Sequence, residues 1–259
     1  MRVKINDISL NYELEGGGQC LVLTHGLADN LTLWSGQMEA FAKQYQVLAY
    51  DVRGYGQSDK PREGYSLDIW ADDLHRLLSV LGIKSSFMLG FSAGGVITLK
   101  FALAYPDMVR ALILVASSSE VSPKATQSFL QRADLAQKSG MEALDDGAER
   151  RFAADFIAKN PDVIAQYKKH YRQNDPHAYA QAARAMSSFN LTQELGKLTC
   201  PTLLVVGEQD RMVGVGGSVI MQRQIKGSQL KLIKGCGHDI PTENPEAFNK
   251  TVLDFLTSL

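Results

Sequence analysis

A serine hydroxyl attacks a carbonyl well only when a neighbouring base takes its proton and a third group holds that base in place. Three stretches of this sequence supply residues of those types in a usable order. Gly90-Phe91-Ser92-Ala93-Gly94-Gly95 has the spacing G-x-S-x-G, between the apolar run Phe87-Met88-Leu89 and the apolar stretch Val96 to Ala104. Strand, sharp turn and helix form the context in which such a serine stands exposed above a sheet edge, over a helix N-terminus that favours negative charge. Asp210 follows the run Leu203-Leu204-Val205-Val206 through Gly207-Glu208-Gln209, and His238 closes Gly235-Cys236-Gly237-His238 after Leu230–Ile233. The expected chain order of nucleophile, acid and histidine is thus met. The chemistry would be two-step acyl transfer, with Ser92 as nucleophile, His238 as general base and Asp210 as its orienter. The oxyanion would take the amide of Ala93 and that of Leu27, in the loop Thr24-His25-Gly26-Leu27 after the strand Leu21–Leu23.

Other residues of suitable type compete for these roles. Glu208 is a second acid two residues before Asp210, and Cys236 a thiol two residues before His238. The thiol lacks the strand–turn–helix support that Ser92 has. His25 reads as a brace for its loop rather than a base, and His75, His170 and His177 as surface residues. Asp51-Val52-Arg53-Gly54-Tyr55-Gly56-Gln57-Ser58 contains a G-x-G, but it lacks a third glycine in register and opens no helix. It reads as a structured loop rather than a dinucleotide site.

The elements around these residues alternate. Ile8, Leu10, Tyr12 and Leu14 interleave with polar residues, as in a half-buried antiparallel strand paired with Val3-Lys4-Ile5. Leu21–Leu23, Val47–Tyr50, Phe87–Leu89, Leu112–Val115, Thr202–Val206 and Leu230–Ile233 are instead continuous apolar runs, suited to strands covered on both faces. Between them, Leu67, Trp70, Ala71, Leu74, Leu77, Leu78 and Leu81 keep helical spacing, with Ser66 as cap and Gly82 as stop. A last helix begins at Asn244-Pro245-Glu246. The pattern predicts an α/β fold: a mostly parallel eight-stranded sheet with helices on both faces. From about Val121 to Asn190 no strand is evident, only helical stretches broken at Gly140, Pro161 and Pro176. Four short helices inserted there would form a lid. The division expected is a core of 1–120 and 191–259 with a helical cap at 121–190.

The composition excludes several functions. Lys plus Arg number 27 and Asp plus Glu 28, for a net charge of −1, without a long run of either sign. That argues against nucleic acid and anionic membranes as partners. No stretch nears the roughly 20 apolar residues of a membrane span, and Met1–Ile5 opens no signal-peptide core, so the cytoplasm is the expected location. Cys20, Cys200 and Cys236 stand far apart and form neither a disulfide framework nor a zinc motif. The mechanism calls for no metal or organic cofactor.

His25-Gly26, Asp51-x-Arg53-Gly54-x-Gly56-x-Ser58, Gly90-x-Ser92-x-Gly94-Gly95, Gly207-x-x-Asp210 and Gly237-His238 together resemble the α/β-hydrolase fold-1 enzymes over essentially the whole chain. The inserted region is most similar to that of the 3-oxoadipate enol-lactone hydrolases and related esterases. Its marks are Gly140-Met141 leading to Phe152, Asn160-Pro161, and Asp175-Pro176 followed by Tyr179, Ala182 and Ala183. The chain differs from the enol-lactonases at Ala93 and in its His25-Gly26 loop, so the resemblance implies ester or lactone hydrolysis as a class. Small-molecule esters or lactones are the expected substrates, with Trp34, Met141, Phe152, Phe156, Tyr179, Met186 and Phe189 as candidate pocket walls. The same triad could instead serve C–C hydrolysis or perhydrolysis, and the fold could carry a slow-turnover small-molecule receptor.

Overall fold

Alternation of side chains along a strand decides which helix layer each residue meets. The computed structural model describes residues 1–144 and 147–259. Its eight strands are β1 (Arg2–Ile5), β2 (Ile8–Gly16), β3 (Cys20–Thr24), β4 (Gln46–Tyr50), β5 (Ser86–Phe91), β6 (Val109–Val115), β7 (Thr202–Gly207) and β8 (Gln229–Ile233). They form one sheet in the order β1-β2-β4-β3-β5-β6-β7-β8. β1 pairs antiparallel with β2, and β2 with β4; every later pairing is parallel. The α/β sandwich expected from the apolar runs is therefore the one observed.

The two faces have separate cores. Val22, Leu48, Met88, Leu112 and Leu204 point into one, where α2 (Leu67–Val80), α3 (Ala93–Ala104) and α9 (Gly214–Gln224) pack. Leu21, Leu23, Val47, Phe87, Leu89, Ile113 and Leu203 point into the other, against α1 (Ser35–Ala42), α10 (Ile240–Glu243) and α11 (Pro245–Thr257). Two of these helices escape a reading of the sequence. α1 carries few apolar positions, of which Met38 and Phe41 are buried. α9 contains Gly214, Gly216 and Gly217, each about 1 kcal/mol worse than alanine in a helix. Packing outweighs that propensity: Ser218 and Met221 are buried, and a Cβ on Gly217 would lie 3.1 Å from the Ser118 Cβ.

Between β6 and β7 stand α4 (Pro123–Ser139), α5 (Gly147–Arg151), α6 (Ala154–Lys159), α7 (Pro161–Arg172) and α8 (Pro176–Ala185). Among the described residues five α-helices stand where four short ones were expected, and α4 runs 17 residues, to Gly140 at its C-cap. Pro161 and Pro176 each open a helix, in the first turn where no N–H is needed. Ala178, Ala180, Ala182 and Ala183 keep α8 slim and are buried. The ends of this insertion are tied together: Glu120 bridges Asn190, Val121 N–H donates to the Phe189 carbonyl, and Leu191 N–H to that of Ser119. Among the described residues no helix is long and apolar enough to cross a membrane.

Candidate active site

Ser92 sits where β5 turns into α3, with φ +53° and ψ −119°. A non-glycine residue held there costs about 1–3 kcal/mol and persists only where its surroundings over-determine it. Those surroundings are evident: Ser92 N–H donates to the Val115 carbonyl at 2.8 Å, and its own carbonyl accepts from the Ser117 hydroxyl at 2.9 Å. Gly94 lets the helix start against the neighbouring strand, since a Cβ there would lie 2.3 Å from the carbonyl oxygens of both Thr24 and His25.

Asp210 follows β7 in a tight turn. One carboxylate oxygen accepts the amides of Met212 (2.8 Å) and Val213 (3.1 Å), and the other meets His238 Nδ1 at 2.9 Å. Burial pushes its pKa up, but the histidine and these two amides outweigh burial and hold the carboxyl below its ordinary range. Asp210 is therefore an acceptor at neutral pH, and the imidazole proton belongs on Nδ1. His238 Nε2 then turns its lone pair to the Ser92 hydroxyl, 2.9 Å away. The ring lies against Phe91, centroids 5.0 Å apart, and is 1 % exposed. A serine, a buried imidazole and a buried carboxylate in one hydrogen-bonded chain can pass a proton away from the hydroxyl as it attacks.

The competing residues are engaged in other contacts. Glu208 is exposed and accepts the Gly235 amide at 3.0 Å. Cys236 is buried, and desolvation with the nearby Glu243 pushes its thiol up to about 12, so it stays protonated. His25 Nδ1–H donates to the Gly26 carbonyl at 2.8 Å, while Nε2 accepts the Val52 amide at 2.9 Å. Both nitrogens are committed in the neutral form, and burial lowers the pKa of the ring. His25 thus joins the Gly26 loop to the loop after β4. Asp51 organises the latter, accepting from Asn11 Nδ2, Leu31 N–H and Gln57 N–H.

Leu27 and Ala93 line one small cavity together with His25, Gly26, Val52, Tyr55, Trp70, Ile97 and Met186. Gly26 faces Ser92 closely, since a Cβ on it would lie 3.2 Å from the Ser92 Cβ. The cavity is apolar and holds ≈ 10 Å³, about the room of one water. Of the seven expected wall residues, Met186 lines it and six pack elsewhere. Trp34 belongs to the core on the opposite face of the sheet, with Met38 and Phe41. Met141 and Tyr179 join α4 to α7 and α8, Phe152 and Phe156 stack on each other, and Phe189 lies in the core with Leu191 and Leu195. The apolar cores of the sheet and of the inserted helices claim these side chains. Val52, Tyr55, Trp70 and Ile97 were the residues that pattern did not single out. Their signal is position, in the loop after β4 and in the opening turns of α2 and α3, all at the carboxyl edge of the sheet.

No group of three His, Cys, Asp or Glu among the described residues is arranged to hold a metal. Nearly the whole chain has relatives. The enzyme "3-oxoadipate enol-lactonase 2" of Acinetobacter baylyi is 27% identical over 249 residues, covering 95% of this chain and 92% of that one. The putative carbamate hydrolase RutD of Stutzerimonas stutzeri is 30% identical over 255 residues, covering 95% and 96%. The solved structure of a thermophilic esterase from Thermogutta terrifontis superposes with a TM-score of 0.95 at 29% identity, covering 100% of this chain and 98% of that one. The profile of the alpha/beta hydrolase fold matches residues 19–245. With the sheet order, the strand–turn–helix at Ser92 and that match in hand, the chain belongs to the alpha/beta hydrolase fold family.

Proposed function

We propose that this chain is a serine hydrolase of carboxylic esters or lactones, with Ser92, His238 and Asp210 as its catalytic triad. The observation that carries the reading is the continuous hydrogen-bonded chain from the Ser92 hydroxyl through His238 to Asp210, with both contacts at 2.9 Å. Esterase and enol-lactonase relatives support the same class.

In this mechanism His238 Nε2 accepts the Ser92 proton as the oxygen bonds to the substrate carbonyl carbon. The carbonyl oxygen becomes an oxyanion and takes the amides of Ala93 and Leu27, each such donor contributing about 3–4 kcal/mol in the transition state. Asp210 stabilises the imidazolium and keeps Nε2 aimed at the serine. Collapse of the tetrahedral intermediate breaks the ester C–O bond, and His238 protonates the departing alkoxide oxygen. Water, deprotonated by His238, then attacks the acyl-serine and releases the acid. In a lactone, alcohol and acid leave as one molecule.

In this reading the acyl group lies towards the small cavity beside Ala93, which Trp70, Ile97 and Met186 also line, and its small size favours short acyl chains. Residues 121–190 act in this reading as a cap on a core of 1–120 and 191–259. Two observations support that division: the insertion's ends are bridged, and Met186 reaches the cavity from just beyond α8.

A panel of p-nitrophenyl esters and simple lactones, given to the parent and to Ser92→Ala, tests the proposal. Turnover that is fastest for short acyl chains and vanishes in the variant is the expected result. A carbamate belongs in the same panel, because the RutD relative favours a second reading in which the carbonyl attacked is that of a carbamate.

A further inference from the structure

One buried ion cluster beside the triad takes no part in the mechanism above. Arg151, the last residue of α5, is 5% exposed. Its Nε donates to Asp239 Oδ2, and its Nη2 donates to Asp29 Oδ2 at 2.9 Å. Asp239 follows His238 in the chain. Asp29 stands two residues after Leu27, and its own N–H donates to the Gly26 carbonyl at 3.3 Å. The carbonyl of Arg151 accepts the backbone N–H of His238 at 2.8 Å. The guanidinium lies between two rings, 5.1 Å from the Phe91 centroid and 5.0 Å from that of Tyr167. Just downstream, Ala153 N–H and Gly237 N–H donate to one oxygen of Glu243, both at 2.9 Å. Gly237 passes so close that a Cβ there would lie 2.6 Å from the Ala153 nitrogen.

The cluster spans three distant parts of the chain. Arg151 comes from the inserted helices, Asp29 from the loop offered as half of the oxyanion hole, and Asp239 from the histidine loop. A guanidinium presents its donors in a rigid planar fork, so one that holds two carboxylates fixes their separation. Asp239 Oδ1 has no partner among the described residues, which leaves Arg151 as the group that offsets this carboxylate.

We propose that Arg151 is a positioning residue, one that sets the distance between the oxyanion loop and His238 and so couples the inserted helices to catalysis. It touches no reacting atom. The inference rests on the triad reading, and it predicts a loss mainly in kcat rather than in KM, because the oxyanion amide shifts against the reacting atoms while Trp70, Ile97 and Met186 stay in place. A misplacement of about 1 Å at such a site costs about 100-fold.

The test compares the parent with Arg151→Lys, Arg151→Met, and a variant combining Arg151→Met with Asp29→Asn and Asp239→Asn, which removes the buried charges left unpaired. Circular dichroism and thermal melts establish folding, and a fluorophosphonate titrates reactive Ser92. Per titrated site, kcat on a p-nitrophenyl ester should fall about 100-fold in the combined variant, with KM within about threefold of the parent and phosphonylation slowed in parallel. Arg151→Lys, which keeps the charge but not the fork, should fall between. If the Arg151→Met chains do not fold, the isosteric Asp29→Asn and Asp239→Asn single variants carry the test, each expected to lose about tenfold in kcat. A folded set whose kcat per site stays within twofold of the parent overturns the inference. A parent that neither turns over esters nor reacts with the phosphonate overturns the triad reading instead.

Discussion

Three residues far apart in the chain meet because each is the first well-placed side chain after a parallel strand. Ser92 follows β5, Asp210 lies three residues beyond β7, and His238 five beyond β8. That order was legible in the sequence, since apolar runs mark the strands and G-x-S-x-G marks the turn. The choice of Asp210 over Glu208 needed geometry: the former faces the imidazole and the latter the Gly235 amide. Ser92→Ala should lower kcat about 10⁶-fold, and Asp210→Asn about 10⁴-fold, while Glu208→Gln stays near the parent. Steady-state kinetics on one ester would decide this; a large loss in Glu208→Gln with little in Asp210→Asn would transfer the role. Asp210 also makes stability depend on pH. Its folded pKa lies below the unfolded value of about 4, so its contribution is full above that pH and is lost as pH falls through the folded pKa. Urea midpoints should show a stability gap between parent and Asp210→Asn that shrinks below about pH 4; a gap constant to the most acid pH would refute the charged pairing.

At the scale of elements, the strands and the long amphipathic helix α2 could be read from periodicity, while α9 could not. Its glycines argue against a helix, and packing against the sheet and the segment after β6 makes one. Pocket walls were harder still. Trp34 and Trp70 are both buried aromatic residues, yet they lie on opposite faces of the sheet. Which face a helix covers follows from topology rather than from its own sequence. Trp70→Ala should therefore open the cavity and shift the preferred acyl chain longer, with little change in the rate on acetyl esters. Trp34→Ala should cost about 3–5 kcal/mol of stability, as any buried tryptophan does, but without altering chain-length preference. A p-nitrophenyl ester series with urea melts separates the two, and identical profiles for both variants would sink the assignment of the cavity.

At the scale of the whole molecule, buried ion pairs join segments that no local pattern connects. Arg151 reaches residues 122 and 88 positions away in the chain, so nothing near it in sequence announced its role. Arg53 likewise pairs with Asp73, both 4% exposed, and fastens the loop after β4 to α2. Breaking such a pair from one side leaves a buried charge, so Arg53→Met should destabilise the fold by about 3–5 kcal/mol in urea denaturation; a loss under about 1 kcal/mol would mean that Asp73 finds water or another partner. The carboxyl edge of the sheet carries Ser92, Asp210 and His238, and Arg151 joins the inserted helices to the loops beside them. The most direct measurement of the central claim is intact-protein and peptide mass spectrometry after rapid mixing with p-nitrophenyl acetate and acid quench. The account predicts a burst of p-nitrophenol matched by one acetyl group per chain, located on the peptide carrying Ser92 and absent from Ser92→Ala. Turnover with no acetyl group on that peptide, or an acetylated Ser92→Ala chain that still turns over, would contradict it.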